Sequence, residues 1–276
     1  MLLGLHLPTR FGYERAFEDA KRLGCRSLQI FIRRPGASLE GPGAPLGSRD
    51  GGIESLLVHR RFAPAPGSSD DDWRRRAVEK LGQELKAARE LGADAFILHL
   101  GAFSPGSDFG TGLSLALESL AQAASQVQNC PAIAIENVPG GGRRMGSSFE
   151  ELARCQEAAP AGLSPLGYCL DTAHAWGAGE PLSTPEGMLA WIERAESLLG
   201  RENLLAFHLN DSRAALGSRR DDHIRWGGGH LGLGGLRALL SLPQFARTPG
   251  ILEVDGPLED RGRSLQEAEN LLKSPA

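Results

Sequence analysis

Residues 204–232 read LLAFHLNDSRAALGSRRDDHIRWGGGHLG, and the reading of this stretch decides how the rest of the chain is understood. It opens as an apolar run, 204–207, and breaks into polar residues at His208. It continues as a loop rich in Arg and Gly that carries Asp221 and His223 two residues apart. A short apolar run bounded by turn residues is a buried strand. An imidazole at its end, then a carboxylate and a second imidazole, is a donor set suited to a divalent metal. A lone histidine in such a place is more often structural, so the reading depends on whether other strands end the same way.

Short apolar runs alternate with helical patterns along the whole chain. Strands are expected at 2–7, 27–32, 56–58, 95–98, 132–135, 166–170, 204–207 and 250–252. Helices are expected at 13–23, 73–91, 112–127, 148–158, 184–199, 234–242 and 263–272. Alternation of this kind builds a parallel sheet, and eight units in about 250 residues match a closed (β/α)8 TIM barrel, with 1–276 as a single domain. The rival is an open doubly wound sheet, which usually carries a GxGxxG turn after its first strand; LHLPTRFG at 5–12 is not one. Residues 33–52 form a long Gly/Pro-rich connection, a candidate functional loop with a short helix in its second half.

An apolar fraction of 41% and a charged fraction of 23% are those of a soluble globular protein. No apolar run approaches a membrane span, and the N-terminus lacks the features of a secretory signal, so a cytoplasmic protein with no membrane partner is expected. Cys25, Cys130, Cys155 and Cys169 contain no CxxC pair, which indicates neither a disulfide framework nor a cysteine zinc site. The net charge of −4, taken alone, argues against a polyanionic partner.

The active site of a TIM barrel lies at the C-terminal ends of its strands. His6, His59, His99, Glu136, Asp171, His208 and Glu253 each end a strand; His174 lies three residues past Asp171, and Asp221 and His223 lie on the loop after the seventh strand. Glu136 and Glu253, taken alone, are candidate catalytic carboxylates, a paired general acid and base. Five histidines (His59, His99, His174, His208, His223) and four carboxylates (Glu136, Asp171, Asp221, Glu253) on one face have no comparable structural explanation. Four carboxylates in one cavity repel unless cations neutralise them. Nine donors exceed what one ion needs, and the share of histidine favours a cluster of zinc over magnesium or calcium.

The most specific motifs are CLDTAHAWGAG at 169–179, HLNDS at 208–212 and GSRRDDH at 217–223, supported by GLH at 4–6, QIF at 29–31, IEN at 135–137 and LE at 252–253. These resemble the endonuclease IV family of apurinic/apyrimidinic endonucleases, within the xylose-isomerase-like barrels, from the first strand to the eighth. The resemblance implies zinc-dependent hydrolysis of DNA 5′ to an abasic site in base-excision repair. It implies a trinuclear site, with manganese possible at one position. By motif position, His59, His99 and Glu136 would hold one ion; Glu136 would bridge to a second held by Asp171, His208 and Glu253; His174, Asp221 and His223 would hold the third. His6 would support the floor. Double-stranded DNA containing abasic sites is the implied partner of a monomer acting on the nucleoid.

The chain departs from the family where DNA is touched. Phe62 stands at the place of a tyrosine and could wedge into the stack. RRP at 33–35 replaces a Lys-Asn-Pro-like segment, Ala173 a frequent cysteine and Gly228 a frequent glutamate. Arg33, Arg34, Arg60, Phe62, Arg219 and Arg225 are the candidate DNA contacts. With Arg61, Arg143, Arg144, Arg213 and Arg220, the arginines among them lie on loops leaving strand ends, a pattern that fits phosphate contacts. Three zinc ions would also outweigh the formal charge of −4. Two other readings stand beside this one. A sugar isomerase or epimerase of the same superfamily would need one divalent ion on Glu136, Asp171, His208 and Glu253. A non-cleaving DNA-lesion binder would account for the altered contact residues.

Overall fold

The computed structural model describes residues 1–32, 52–61, 65–163 and 166–273. Eight parallel strands close on themselves: β1 (Leu2–Leu7), β2 (Ser27–Phe31), β3 (Ser55–His59), β4 (Ala95–Leu98), β5 (Ala132–Glu136), β6 (Leu166–Asp171), β7 (Leu204–His208) and, after a two-stranded ribbon of β8 (Asp211–Ser212) and β9 (His223–Ile224), β10 (Pro249–Leu252). The ring closes because β1 pairs on both sides, Leu2 with Pro249 of β10 and Gly4 with Ser27 of β2. A closed ring leaves no free edge. The helices are α1 (Tyr13–Leu23), α2 (Asp71–Glu90), α3 (Phe109–Ala124), α4 (Phe149–Glu157), α5 (Thr172–Ala178), α6 (Pro185–Leu199), α7 (Gly232–Leu240) and α8 (Leu258–Lys273). Among the described residues, no helix is long and apolar enough to cross a membrane.

The (β/α)8 barrel expected from the alternation is present, and most boundaries fall within two residues of the expected ones. The larger differences lie in the helices. Helix α3 starts at Phe109, not 112, because the Asp108 side chain accepts from the Thr111 N–H at 3.0 Å. Helix α8 starts at Leu258, five residues before the expected 263, with Glu259 and Asp260 in its first turn. Helix α5 has no counterpart among the expected elements: Asp171 is both the last residue of β6 and the cap of α5, so the strand runs into the helix with no intervening turn signal. The helix expected in the second half of 33–52 lies outside the described residues.

The barrel interior explains why the site has the residues it has. Leu57, Ala95, Ile97, Ala134, Cys169, Ala206 and Ile251 form a small core enclosed by the strands. Side chains two positions apart on a strand share a face. The residues two on from Leu57, Ile97, Ala134, Cys169, Ala206 and Ile251 are His59, His99, Glu136, Asp171, His208 and Glu253, so they form the next layer up, at the barrel mouth. The same step from Gly4 and Ser27 brings His6 and Gln29 into that layer. Gly4 has no alternative: a Cβ there would sit 1.7 Å from the Ser27 carbonyl oxygen. Between β6 and β7 the register slips at Tyr168/Cys169, with Tyr168 opposite Leu204 and Cys169 opposite Ala206. The unpaired Leu205 is the bulge that sets Asp171 directly across from His208.

Candidate metal centre

Glu136 is the hub. Its side chain is almost wholly buried, with one oxygen (Oε2) 2.8 Å from His59 Nε2 and 2.7 Å from His99 Nε2. The other (Oε1) lies 2.8 Å from His208 Nδ1 and 3.3 Å from His174 Nδ1. Glu136, Asp171, His208 and Glu253 also gather as one group, with His208 Nδ1 3.8 Å from Asp171 Oδ2 and 3.5 Å from Glu253 Oε2. At the outer edge, Asp221 reaches His174 Nε2 at 3.4 Å and His223 Nε2 at 3.0 Å, and Asp171 lies 3.7 Å from His223. The nine candidate donors therefore sit together, with Asp171 placed between the inner and outer sets.

The ring nitrogens are sorted by what lies behind them. His59 Nδ1 donates to the Arg60 carbonyl at 2.8 Å, and His174 Nδ1 donates to the Asn137 carbonyl at 2.9 Å. His208 Nε2 donates to Gln29 Oε1 at 2.8 Å. In each ring one nitrogen is committed to a carbonyl oxygen and the other turns toward carboxylates, the arrangement that prepares an imidazole for a metal. The Nε2 atoms of His99, His174 and His223 are buried and, among the described residues, make no aligned hydrogen bond. Buried nitrogens left in this way, beside carboxylates, fit divalent transition-metal ions better than a self-contained polar network.

Three amides hold the acidic residues in place, two through their carboxylates and one through the Asp171 backbone, and none of them stands out in the sequence for that role. Gln29 Nε2 donates to Glu253 Oε1 at 2.7 Å and lies 2.8 Å from His6 Nδ1. Asn210 Nδ2 bridges Asp171 Oδ2 at 2.6 Å and Glu253 Oε2 at 3.1 Å. Asn137 Oδ1 accepts the Asp171 N–H at 2.6 Å. Asp211, fully buried, organises the segment that bears Asp221 and His223. It accepts from the N–H groups of Ser212, Gly227, Gly229 and Leu231 at 2.7–3.0 Å. Gly229 is needed there, since a Cβ would fall 2.3 Å from the Ser212 carbonyl oxygen.

The electrostatics are those of a compensated cluster. Burial pushes the Glu136 carboxyl up, but His99 and His208 together with hydrogen bonds from His174 and His208 outweigh it and hold it well below the usual carboxylate range. Burial likewise opposes ionisation of Glu253, and His208, His6 and His59 overcome it. Burial depresses His174 and His208, yet Asp171, Asp221 and Glu136 raise the first, and Cys169, Glu253 and Glu136 the second, well above an ordinary imidazole. His223, depressed by burial and raised by Asp171 and Asp221, ends at about 8. His6 goes the other way, because burial exceeds the pull of Glu253. With an Nδ1–Oε1 distance of 3.2 Å to Glu253, it supports that carboxylate from within the same layer.

The expected arginine rim is partly dismantled. Arg60 does not face DNA: its side chain is buried and lies 3.5 Å from Glu84 of α2. Arg225 is exposed but lies 3.4 Å from Glu267 of α8, and Arg213 pairs with Asp222 at 3.1 Å. Arg219 is exposed, with a left-handed backbone (φ 58°) and its side chain against Gly141. Arg33, Arg34 and Phe62 lie outside the described residues.

Residues 17–274 match the family described as xylose isomerase-like TIM barrel. A probable endonuclease 4 of Nitratidesulfovibrio vulgaris is 33% identical over 283 residues, covering 99% of each chain. A probable endonuclease 4 of Halothermothrix orenii is 30% identical, covering 92% of this chain and 93% of that protein. The crystal structure of endonuclease IV from Thermus thermophilus superposes with a TM-score of 0.84 at 28% identity over 99% of both chains. Full-length similarity to these proteins, on a closed barrel whose mouth gathers histidines and carboxylates from six of its strands, places the chain in the endonuclease IV family of the xylose-isomerase-like TIM barrels.

Proposed function

We propose that this protein is a zinc-dependent apurinic/apyrimidinic endonuclease that hydrolyses the DNA phosphodiester bond 5′ to an abasic site, as a monomer, in cytoplasmic base-excision repair. The observation that carries this reading is the position of Glu136 between His59 and His99 on one oxygen and His208 on the other. One carboxylate shared in this way suits a cluster rather than a single ion. His59, His99 and Glu136 would hold one ion, Glu136, Asp171, His208 and Glu253 a second, and His174, Asp221 and His223 a third, with manganese possible at one of them. Bound there, such ions supply Lewis-acid activation of water and neutralise charge on the attacked phosphate.

The chain's own residues supply the rest. Gln29, Asn137 and Asn210 fix the donor atoms in advance, so little reorganisation is needed when charge develops. Of the four candidate donor carboxylates, Glu253 is the one that lines the open cavity, where it can orient a water by accepting its hydrogen bond. Asp221, with its side chain about half exposed, is the donor closest to solvent and marks the side from which a duplex would approach.

A sugar isomerase or epimerase is the second reading. Its support is that Glu136, Asp171, His208 and Glu253 alone make a complete four-donor group. It leaves His59, His99, His174, Asp221 and His223 without a task. A duplex with a single tetrahydrofuran abasic analogue, incubated with and without a strong chelator, decides between them. Chelator-sensitive nicking on the 5′ side is the expected result. Intact DNA with tight lesion binding would make the protein a lesion binder, and ketose turnover without DNA binding would favour the isomerase. Metal content of about one ion per chain, rather than about three, would remove the cluster.

A further inference from the structure

The same end of the barrel carries a pair that the nine donors leave unexplained. Phe11, in the turn between β1 and α1, is 72% exposed, more than any other large apolar side chain among the described residues. The Arg10 guanidinium carbon lies 4.7 Å from the centre of its ring. A single exposed apolar side chain is ordinary. Here it is stacked with a cation that lines a cavity of about 600 Å³ shared with His6, Glu253 and His223.

Two more arginines line that cavity. Arg61 lies 4.8 Å from the centre of the Phe31 ring. Arg261 donates to the His6 carbonyl at 2.7 Å and the Gly256 carbonyl at 3.1 Å. Among the described residues, neither Arg10 nor Arg61 has a carboxylate partner. Burial lowers the Arg261 guanidinium, Asp255 opposes this, and Arg10 adds to it, so Arg10 and Arg261 repel each other across the opening. Three guanidinium groups and the Phe31 ring line one opening together with Asp255, and Phe11 stands beside it on Arg10; cations in excess of acid next to flat rings match a partner that alternates phosphates with bases.

We infer that Arg10 and Phe11 are a DNA-contacting pair: Phe11 stacks on a base of the strand entering the metal centre, and Arg10 contacts that strand's backbone phosphate. This rests on the endonuclease reading and adds residues outside the metal site to it. Phe11→Ala and Arg10→Ala sit at exposed positions and leave the fold intact. Binding is read by fluorescence anisotropy on the nicked product duplex, which is not turned over, and by a 2-aminopurine placed beside the abasic analogue. Phe11→Ala is expected to weaken binding by about tenfold or more, with Phe11→Trp restoring it and the 2-aminopurine response lost in the alanine variant alone. Arg10→Ala is expected to reduce the slope of log affinity against log salt by about one. A Phe11→Ala affinity within about twofold of wild type, with an unchanged 2-aminopurine signal, overturns the pair. If the wild type binds but does not nick, the endonuclease reading falls while this comparison still decides the pair. If it does not bind DNA at all, both fall.

Discussion

Gln29 makes three contacts at once, to His208, His6 and Glu253, from a side chain with no solvent exposure. Its replacement by alanine leaves the buried His208 ring N–H without its partner and removes one of three supports from Glu253, which keeps His6 and Asn210. Metal retention against a competing chelator should fall about 10–100-fold while the far-ultraviolet spectrum is unchanged; equal retention in both proteins would remove Gln29 from the role. The nine donors are legible in the sequence because His, Asp and Glu are conspicuous at the ends of apolar runs. Gln29 stands in one of the supporting motifs, but its role is not legible there, since an amide in a strand shows no partner until residues up to 224 positions away are brought beside it. Thiols offer a second test at this scale. Burial pushes Cys25, Cys155 and Cys169 up to about 12, whereas Cys130 is only half-buried. Ellman's reagent should find Cys130 alone in the native protein and all four after unfolding; rapid modification of Cys169 would mean that the barrel interior opens.

Among the elements, the segment from β8 to α7 is the least conventional, because it holds its shape through Asp211 rather than through a long strand or helix. Four N–H groups converge on that carboxylate. Asp211→Ala should cost about 3 kcal/mol or more in urea unfolding and should weaken retention of metal at Asp221 and His223 ahead of the inner donors. A stability loss below about 1 kcal/mol would show that the segment is held elsewhere. Strands and long helices are readable from their periodicity. The two-residue strands β8 and β9 are not, because a period cannot be seen in two residues. The fate of Arg60 is hidden for a related reason: its place next to His59 suggests the rim, but consecutive residues on a strand point to opposite faces, and the outer face of β3 meets Glu84 on α2.

For the whole molecule, the carboxylates gathered at the barrel mouth link folding to any cation the site holds. Stripping metal with a strong chelator should lower the melting temperature by about 5–10 °C, and readdition of zinc should restore it. A melting temperature indifferent to chelator would argue that the histidines alone neutralise the site. The pairing of β1 with β10 has a different consequence, for how the molecule is made. The first strand emerges from the ribosome long before its second neighbour, since Leu2 waits for Pro249. Until then β1 and β7 each keep an unsatisfied edge, and Glu253 has not yet joined the other donors. The donor set that includes Glu253 is therefore complete only when synthesis is nearly finished, so any ion that needs Glu253 is taken up at that late stage, from whatever the cell then offers.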